Sequence, residues 1–268
     1  MTILEKIAEA KRQEVDARKR LIPVSQLRDT GGFYRPVISM VKAIETRGQA
    51  AVIAEFKRKS PSKGVINDQV AVEEVVQGYS HAGAVGLSVL TDEQFFGGSL
   101  DDLARARRVT PLPLLRKDFI LDEYQLAEAR AYGADVVLII AAMVRPADAV
   151  TLALHARQLN LEVLMEVHHE RELESHHQVP FDLIGVNNRD LNSFAVSLEV
   201  SERLTASLPA GRLWISESGL SNPQDVAKLY ASGYRGFLMG ESFMKATDPA
   251  ARRVTPLPLL RKDFILDE

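Results

Sequence analysis

Charged and amide side chains follow several short apolar segments of this sequence. One charge in such a place is more often a solvated loop residue, but here five segments end in acids, bases or amides. Groups of this kind in one partly dry pocket shift each other's pKa values, which acid–base chemistry requires. We therefore predict an acid–base site built from the segment ends. Its candidate residues are Glu55, Lys57, Lys117, Phe119, Glu166, Asn187, Arg189 and Glu217.

Two later segments end in residues that suit phosphate binding. Ser218 and Gly219 follow one apolar segment, and Gly240 and Glu241 follow the next. Glycine lets the backbone approach a ligand closely, and backbone N–H groups at the start of a helix bind phosphate oxygens. Each glycine alone also suits an ordinary turn, but the two positions together favour a phosphate site.

Aromatic and histidine residues suggest two further kinds of site, a surface that stacks on a substrate ring and a metal site. Phe96 could stack on a flat substrate ring, although packing on the neighbouring surface explains it equally well. The pairs His168-His169 and His176-His177 suggest a metal site, but no HExxH motif or suitably spaced carboxylates accompany them. We therefore predict no metal site and expect the histidines to decorate a helix surface.

Composition and charge limit the classes of function. The 33 basic and 36 acidic residues give a formal charge of −3, which predicts neither a nucleic-acid nor a membrane partner. An anionic ligand then needs a local cation cluster, and Lys57, Arg58, Lys59 and Lys63 form one. With no cysteine in the sequence, disulfides and cysteine nucleophiles are excluded. A charged N-terminus and short apolar runs predict no signal peptide or membrane span, so we expect a cytoplasmic protein.

Eight runs rich in Val, Ile or Leu alternate with helix-like segments from residue 51 onward. Such a pattern indicates a parallel sheet covered by helices. It predicts the α/β class and a (β/α)8 TIM barrel rather than an open doubly wound sheet, and no GxGxxG motif follows the first run. The candidate residues would then meet at the C-terminal rim of the barrel. The predicted strands are 51–55, 85–90, 112–116, 135–141, 161–166, 183–186, 213–216 and 236–239.

Both ends of the chain depart from this repeating pattern. Residues 2–19 read as an amphipathic helix, and residues 36–46 predict a second helix. The last 18 residues repeat residues 106–123 without one difference, which indicates a recent duplication, engineering or an assembly error. Asp248 suits the cap of a last barrel helix, which Pro256 would stop. The predicted units are an N-terminal helical extension over 1–48, a barrel over 49–250 and a duplicated tail over 251–268.

Stretches spread over residues 50–245 resemble the indole-3-glycerol phosphate synthase family. The most specific are EFKRKSPS, LRKDF and GVNNRDL, and they occur in the order of the family. The resemblance implies a TIM barrel whose N-terminal extension covers part of the active site. It implies a carboxy-lyase of tryptophan biosynthesis that closes the indole ring of 1-(2-carboxyphenylamino)-1-deoxyribulose 5-phosphate, with loss of carbon dioxide and water. It implies no metal or organic cofactor, and we expect a monomer or weak homo-oligomer.

The resemblance also implies roles for individual residues. Lys117 would protonate the ketone oxygen during ring closure, and Glu166 would be the acid–base group of dehydration. Lys57 would bind the substrate carboxylate or donate a proton in the second step. Glu55, Asn187 and Glu217 would hold these groups and the intermediate. The implied substrate-binding residues are Ser60, Ser218, Gly219, Gly240 and Glu241 near the phosphate, Phe96, Phe119, Arg189 and Leu191 in the aromatic pocket, and Leu238.

The implied chemistry makes demands on charge. A lysine acid is useful when its pKa falls toward neutrality, and burial with Lys57 nearby would lower the pKa of Lys117. Glu166 would need the opposite shift. At Glu241 only the backbone N–H could bind phosphate, because the carboxylate would repel it. We expect Lys262 and Phe264, the copies of Lys117 and Phe119, to play no catalytic part.

Two other functions remain open from the sequence. Another sugar-phosphate barrel enzyme, such as an isomerase or aldolase, would share the phosphate loops, although an isomerase of the neighbouring step typically uses a cysteine that this chain lacks. A non-catalytic or engineered barrel variant would account for the identical repeat.

Overall fold

Short apolar segments form the strands of the computed structural model, which describes residues 2–191, 193–246 and 249–250. Each of the eight predicted strands corresponds to a strand of the barrel, with ends that agree within two residues. The strands are β1 (Ala51–Phe56), β2 (Lys59–Ser60), β3 (Gly64–Val65), β4 (Gly86–Leu90), β5 (Leu114–Lys117), β6 (Val136–Ile140), β7 (Glu162–Val167), β8 (Leu183–Asn187), β9 (Leu213–Glu217) and β10 (Gly236–Met239).

Helices lie between the strands and before them. Their ends carry the expected signals, such as the capping box of Thr2 and Glu5 on the first helix and Pro146 at the start of the eighth. The helices are α1 (Ile3–Leu21), α2 (Val24–Arg28), α3 (Met40–Arg47), α4 (Val72–His81), α5 (Glu93–Phe96), α6 (Leu100–Val109), α7 (Glu123–Ala131), α8 (Pro146–Gln158), α9 (Glu170–Ser175), α10 (Glu199–Leu204), α11 (Pro223–Ala231) and α12 (Glu241–Met244), with a 3-10 turn at Thr205–Ser207.

The eight long strands close into a parallel barrel in the order β1-β10-β9-β8-β7-β6-β5-β4, and β2 and β3 form a small antiparallel ribbon. The register brings polar strand ends together. Glu166 of β7 pairs with Ile140 of β6 on one side and with Gly185 of β8 on the other. Asn187 of β8 pairs with Glu217 of β9. The predicted TIM barrel is therefore confirmed.

Strand alternation divides the core into two layers. Val52, Ala54 and Phe56 of β1 point outward and pack with the surrounding helices. Ala51 and Ile53 point inward, where they join a separate buried cluster inside the barrel. Because successive side chains of a strand face opposite sides, the inward row of β1 continues to its C-terminal end and delivers polar groups to the barrel mouth.

The N-terminal extension covers the two ends of the barrel. Ile7 of α1 and Met40 and Ile44 of α3 belong to the inner cluster. The start of α3 is fixed by Glu162, whose carboxylate accepts the Met40 N–H at 2.8 Å and a bond from the Ser39 hydroxyl.

The predicted helices of the extension have mixed outcomes. The helix predicted at 2–19 is confirmed as α1. The helix predicted at 36–46 begins only at Met40, because Ser39 adopts an extended conformation and caps it. The duplicated tail at 251–268 lies outside the described residues, as does Asp248, so the proposed domain boundaries stay a prediction. None of the helices in the described ranges is long and apolar enough to cross a membrane.

Candidate active site

A cavity of about 700 Å³ opens at the C-terminal ends of the barrel strands. All six predicted catalytic residues and all ten predicted substrate-binding residues line it. Residues from β1, β5, β7, β8, β9 and β10 contribute, which is the arrangement expected at the catalytic face of a TIM barrel. The barrel therefore brings the separate strand-end residues of the sequence into one site.

Lys117 occupies the centre of the polar floor. Its Nζ lies 2.8 Å from Glu166 Oε2 and 3.2 Å from Glu217 Oε2. Asn187 donates a hydrogen bond of 3.1 Å from Nδ2 to the other oxygen of Glu166. Gly185 leaves room for Glu217, because a Cβ on that glycine would collide with the Glu217 carboxylate. An ammonium group is thus fixed between two buried carboxylates.

The charges of this cluster shift the pKa values of its members. Burial lowers the pKa of Lys117, but Glu166, Glu217 and Glu55 raise it further, and the net direction is upward. The expected fall is therefore wrong, because three carboxylates outweigh the effect of burial. Burial raises the pKa of Glu166, but Lys117 and His168 lower it to about 2. The upward shift expected for Glu166 is therefore also wrong, because the two neighbouring cations outweigh burial.

The pKa of Glu217 shifts in the opposite direction to that of Glu166. Burial raises its pKa, Lys117 lowers it, and the neighbouring charges of Glu166 and Glu55 raise it again, to about 7. Two carboxylates on one lysine therefore differ in their affinity for protons. The two carboxylates and Lys117 can therefore hold one exchangeable proton near neutral pH.

A second ion pair lies beside this cluster. Lys57 Nζ is 2.6 Å from Glu55 Oε1, and both side chains are mostly buried. Gly240 lies against Glu55, since a Cβ on the glycine would approach the Glu55 Cβ to 2.7 Å. The pair thus holds a second ammonium group at the edge of the floor.

The predicted phosphate loops form one side of the cavity. Ser218 and Gly219 have left-handed backbone, with φ of 68° and 77°, and a Cβ on Gly219 would meet Val196 at 2.5 Å. Glu241 follows Gly240 at the start of α12, and its carboxylate is bound by Arg189 at 3.1 Å. Arg189 partly neutralises the charge that we expected to repel phosphate.

The predicted cation cluster is divided by the structure. Lys57 and Lys63 line the cavity. Arg58 instead binds Asp102 at 2.5 Å, and Lys59 donates to the Gln94 carbonyl at 2.8 Å. The prediction of four cations on one anion is therefore wrong for Arg58 and Lys59, because successive residues of an extended chain point in different directions.

Aromatic and aliphatic side chains form the opposite side. The rings of Phe96 and Phe119 lie 6.0 Å apart, and the Phe95 ring meets Phe119 edge-on at 6.4 Å. Leu191 of a loop and Leu4 of α1 complete the apolar surface. The cavity therefore has a cationic and glycine-rich side, an apolar aromatic side and a charged floor between them.

Comparisons with known proteins agree with this geometry. A sequence model of the indole-3-glycerol phosphate synthase family matches residues 4–252. The protein of that name from Bacteroides thetaiotaomicron is 46% identical over 247 residues, which cover 92% of this chain and 94% of the relative. The one from Albidiferax ferrireducens is 46% identical over 250 residues and covers 92% and 95%. The chain belongs to the indole-3-glycerol phosphate synthase family. It is therefore a member of an enzyme family.

The barrel itself resembles more distant structures. The solved thiamine phosphate pyrophosphorylase from Pyrococcus furiosus aligns with a TM-score of 0.54 at 16% identity, over 79% of this chain and 93% of that one. At this identity the likeness shows the shared fold alone.

Sequence reasoning missed a buried lysine that joins the extension to this site. Lys11 of α1 is 1% exposed, and its Nζ lies 2.8 Å from Asp92 and 3.0 Å from Asp118. Asp118 directly follows Lys117, and Asp92 caps the helix that carries Phe96. A signal was present, because Ile7, Lys11 and Val15 are four residues apart and share the apolar face of α1.

The histidine prediction is partly wrong in this family member. His169 and His177 are exposed, as predicted. His168 and His176 are buried, and the ring of His176 bonds to the Val144 carbonyl at 2.9 Å. The described residues contain no group of three or more metal-ligating side chains. His168 follows the inward-facing Glu166 by two residues, and that spacing was the signal that it lies near the floor.

Proposed function

We propose that the chain is an indole-3-glycerol phosphate synthase, a carboxy-lyase of tryptophan biosynthesis. Its substrate would be 1-(2-carboxyphenylamino)-1-deoxyribulose 5-phosphate, which closes to indole-3-glycerol phosphate with loss of carbon dioxide and water. The observation that carries this proposal is the Lys117 ammonium held between Glu166 and Glu217 on a floor between a phosphate side and an aromatic side. Family membership supports the same reaction. We further propose that it acts without a metal or organic cofactor, in the cytoplasm and as a monomer or weak homo-oligomer.

The shape of the site suits the three parts of this substrate. The phosphate would bind the backbone N–H groups after β9 and β10, beside Ser60, Gly219 and Gly240. The anthranilate ring would lie against Phe96 and Phe119, which line the cavity. Its carboxylate would bind the ammonium group of Lys57. The reacting ketone would then lie over Lys117.

Ring closure requires a proton on the ketone oxygen as the new carbon–carbon bond forms. Lys117 would donate it from Nζ. Burial lowers the pKa of Lys117, but the surrounding glutamates raise it further, so that it lies above its ordinary value. A bound ketone would displace at least one carboxylate from the ammonium group, so the lowering by burial would count for more. The acid would become stronger when the substrate arrives.

Loss of carbon dioxide then restores the aromatic ring, and dehydration completes the indole. Glu166 would exchange protons with the intermediate during this last step. Asn187 fixes its orientation through the hydrogen bond of 3.1 Å. Glu217, with a pKa raised to about 7 by burial and by Glu166, would let the cluster hold one exchangeable proton near neutrality.

The duplicated sequence supplies a matched pair of variants to test this function. Lys117→Met should lower kcat by about 10²- to 10⁴-fold, because it removes the proposed general acid. Lys262→Met makes the same change within the same LRKDF sequence and should leave kcat unchanged. Formation of indole-3-glycerol phosphate is followed by its fluorescence. Equal losses from both variants, or no product from the wild-type chain, would contradict the proposal.

A further inference from the structure

Behind Glu166 lies a row of side chains that the proposed mechanism does not use. The imidazole of His168 lies between two carboxylates, with Nε2 3.6 Å from Glu166 Oε1 and Nδ1 3.7 Å from Glu172 Oε2. Neither ring nitrogen has a hydrogen-bond partner among the described residues. His168 is absent from the cavity lining, whereas Glu166 is part of it. The row therefore runs from the cavity floor toward the outside of the barrel.

Exposure increases along this row. The side chains of Glu166, His168 and Glu172 are 1%, 7% and 17% exposed. Glu172 is fixed at the start of α9, because its Oε2 accepts the backbone N–H of His168 at 2.6 Å and that of His169 at 3.3 Å. Each ring nitrogen thus faces one carboxylate, and the outer carboxylate reaches solvent. A movement of each carboxylate toward the ring by less than about 1 Å would bring both nitrogens to hydrogen-bond distance.

The proposed reaction has a proton balance that this row could serve. The substrate carboxylate leaves as neutral carbon dioxide, so every turnover takes one proton from the enzyme. Water loss is neutral in this balance, since one proton is added to the departing hydroxyl and one is removed from carbon. The cluster of Lys117, Glu166 and Glu217 therefore ends each turnover one proton short. A substrate in the cavity would cover these three groups on the open side.

We propose that His168 is a positioning residue that returns this proton to Glu166 from solvent through Glu172. Nδ1 of the neutral ring would accept a proton from the Glu172 side, and the resulting imidazolium would give its Nε2 proton to Glu166 Oε1. A half-turn of the ring would then restore the proton to Nε2 for the next turnover. Only N–H and O–H bonds change, and the imidazole ends with the proton count with which it began. Glu166 contacts Lys117 at 2.8 Å, which would let the proton reach the rest of the cluster. The inference rests on the proposed function, because it needs Glu166 to exchange protons with an intermediate.

The charges around His168 favour its protonated form. Glu166 from β7, Glu172 from α9 and Glu217 from β9 face it, and Lys117 lies beyond Glu166. Burial lowers the pKa of His168, but the nearby carboxylates of Glu172, Glu166 and Glu217 raise it above its ordinary value. Proton supply by the imidazole would be lost as the pH rises through this raised pKa.

The test compares His168→Gln with its neighbour His169→Gln. Glutamine fills similar space and can form hydrogen bonds, but it cannot carry a proton between two groups. We expect His168→Gln to lower kcat by about 10- to 100-fold with little change in KM, and to abolish the alkaline fall of the kcat–pH profile. The solvent deuterium isotope effect on kcat should rise, because proton return becomes slow. His169 is exposed, and His169→Gln should match the wild type.

A second variant keeps the test decisive if His168→Gln fails to fold. Glu172→Gln retains an acceptor for the backbone N–H groups but removes the outer carboxylate, and it should lower kcat in the same direction with a shifted pH profile. Circular dichroism and thermal unfolding establish that each variant is folded. A wild-type kcat and pH profile in the folded His168→Gln protein, or in Glu172→Gln, would overturn the relay. Failure of the wild-type chain to form product would instead overturn the proposed function.

Discussion

Replacing Lys11 with methionine would separate the N-terminal helix from the catalytic rim. Lys11 is buried and joins α1 to Asp92 and Asp118 through ion pairs of 2.8 and 3.0 Å. Methionine keeps most of the apolar stem but removes the charge. Two buried carboxylates would then lose their shared cation. We expect the variant to be less stable and to bind substrate more weakly, since Leu4 and Ile7 of α1 line the cavity.

The contacts that Asp92 and Asp118 keep in the variant determine how much stability is lost. Breaking a buried ion pair costs about 3–5 kcal/mol, because it leaves an uncompensated buried charge. Here Asp118 keeps Arg116 at 3.0 Å and the Thr91 hydroxyl at 2.6 Å, and Asp92 keeps the Phe95 N–H at 2.6 Å. The loss should therefore lie near the lower end, about 3 kcal/mol. With a stability of about 5–15 kcal/mol for a typical domain, the variant should still fold.

The pH dependence has a defined sign. Burial lowers the pKa of Lys11, but Asp118 and Asp92 raise it above its ordinary value. Burial raises the pKa of Asp118, but Arg116 and Lys11 lower it below its ordinary range. The contribution of Lys11 to the free energy of unfolding is fully present below about pH 10, and that of Asp118 is fully present above about pH 4. The destabilisation should therefore stay constant from about pH 5 to pH 9 and shrink in more acidic solution.

Urea unfolding at pH 7 and pH 3, with KM measured at pH 7, tests this reasoning. Lys6→Met is the matched control, because Lys6 lies on the same helix and is exposed. Adding Asp92→Asn should cost less in the Lys11→Met background than in the wild type, since the lysine no longer needs that carboxylate. A loss below about 1 kcal/mol, similar to that of an exposed ion pair, would refute the buried-pair argument.

Two further predictions concern the floor of the site. Burial and Glu166 raise the pKa of Glu217 to about 7, so ionising it costs the folded state free energy as the pH rises from about 4.5 to 7. Glu217→Gln should remove this fall in stability. The urea midpoint should therefore drop less between pH 5 and pH 8 in the variant than in the wild type, and an equal drop in both proteins would contradict the prediction. Gly240→Ala should push Glu55 from Lys57, because its Cβ would lie 2.7 Å from the Glu55 Cβ, and it should cost about 1–3 kcal/mol of stability and much of kcat/KM. Gly31→Ala, with open space around the position, is the control, and equal effects would show that crowding at Glu55 is unimportant.

The sequence by itself determined the fold and the membership of the site. Apolar runs at regular intervals specified the eight strands, because a parallel strand covered by helices must be apolar on both faces. Two-residue spacing then placed Glu55 with Lys57, and Lys117 with Phe119, on the inner face. Since all parallel strands end at one rim, these residues had to meet. That reasoning needs only the direction of each strand.

Only the tertiary structure decided charge and contact within the site. The spacing of Lys117 carried no sign that three glutamates would surround it and raise its pKa. Arg58 and Lys59 follow Lys57 directly, yet they leave the cavity for other partners. His168 looked like a surface residue until the barrel placed it between Glu166 and Glu172. Electrostatic effects depend on distances and burial across different strands, and periodicity along one chain segment contains neither quantity.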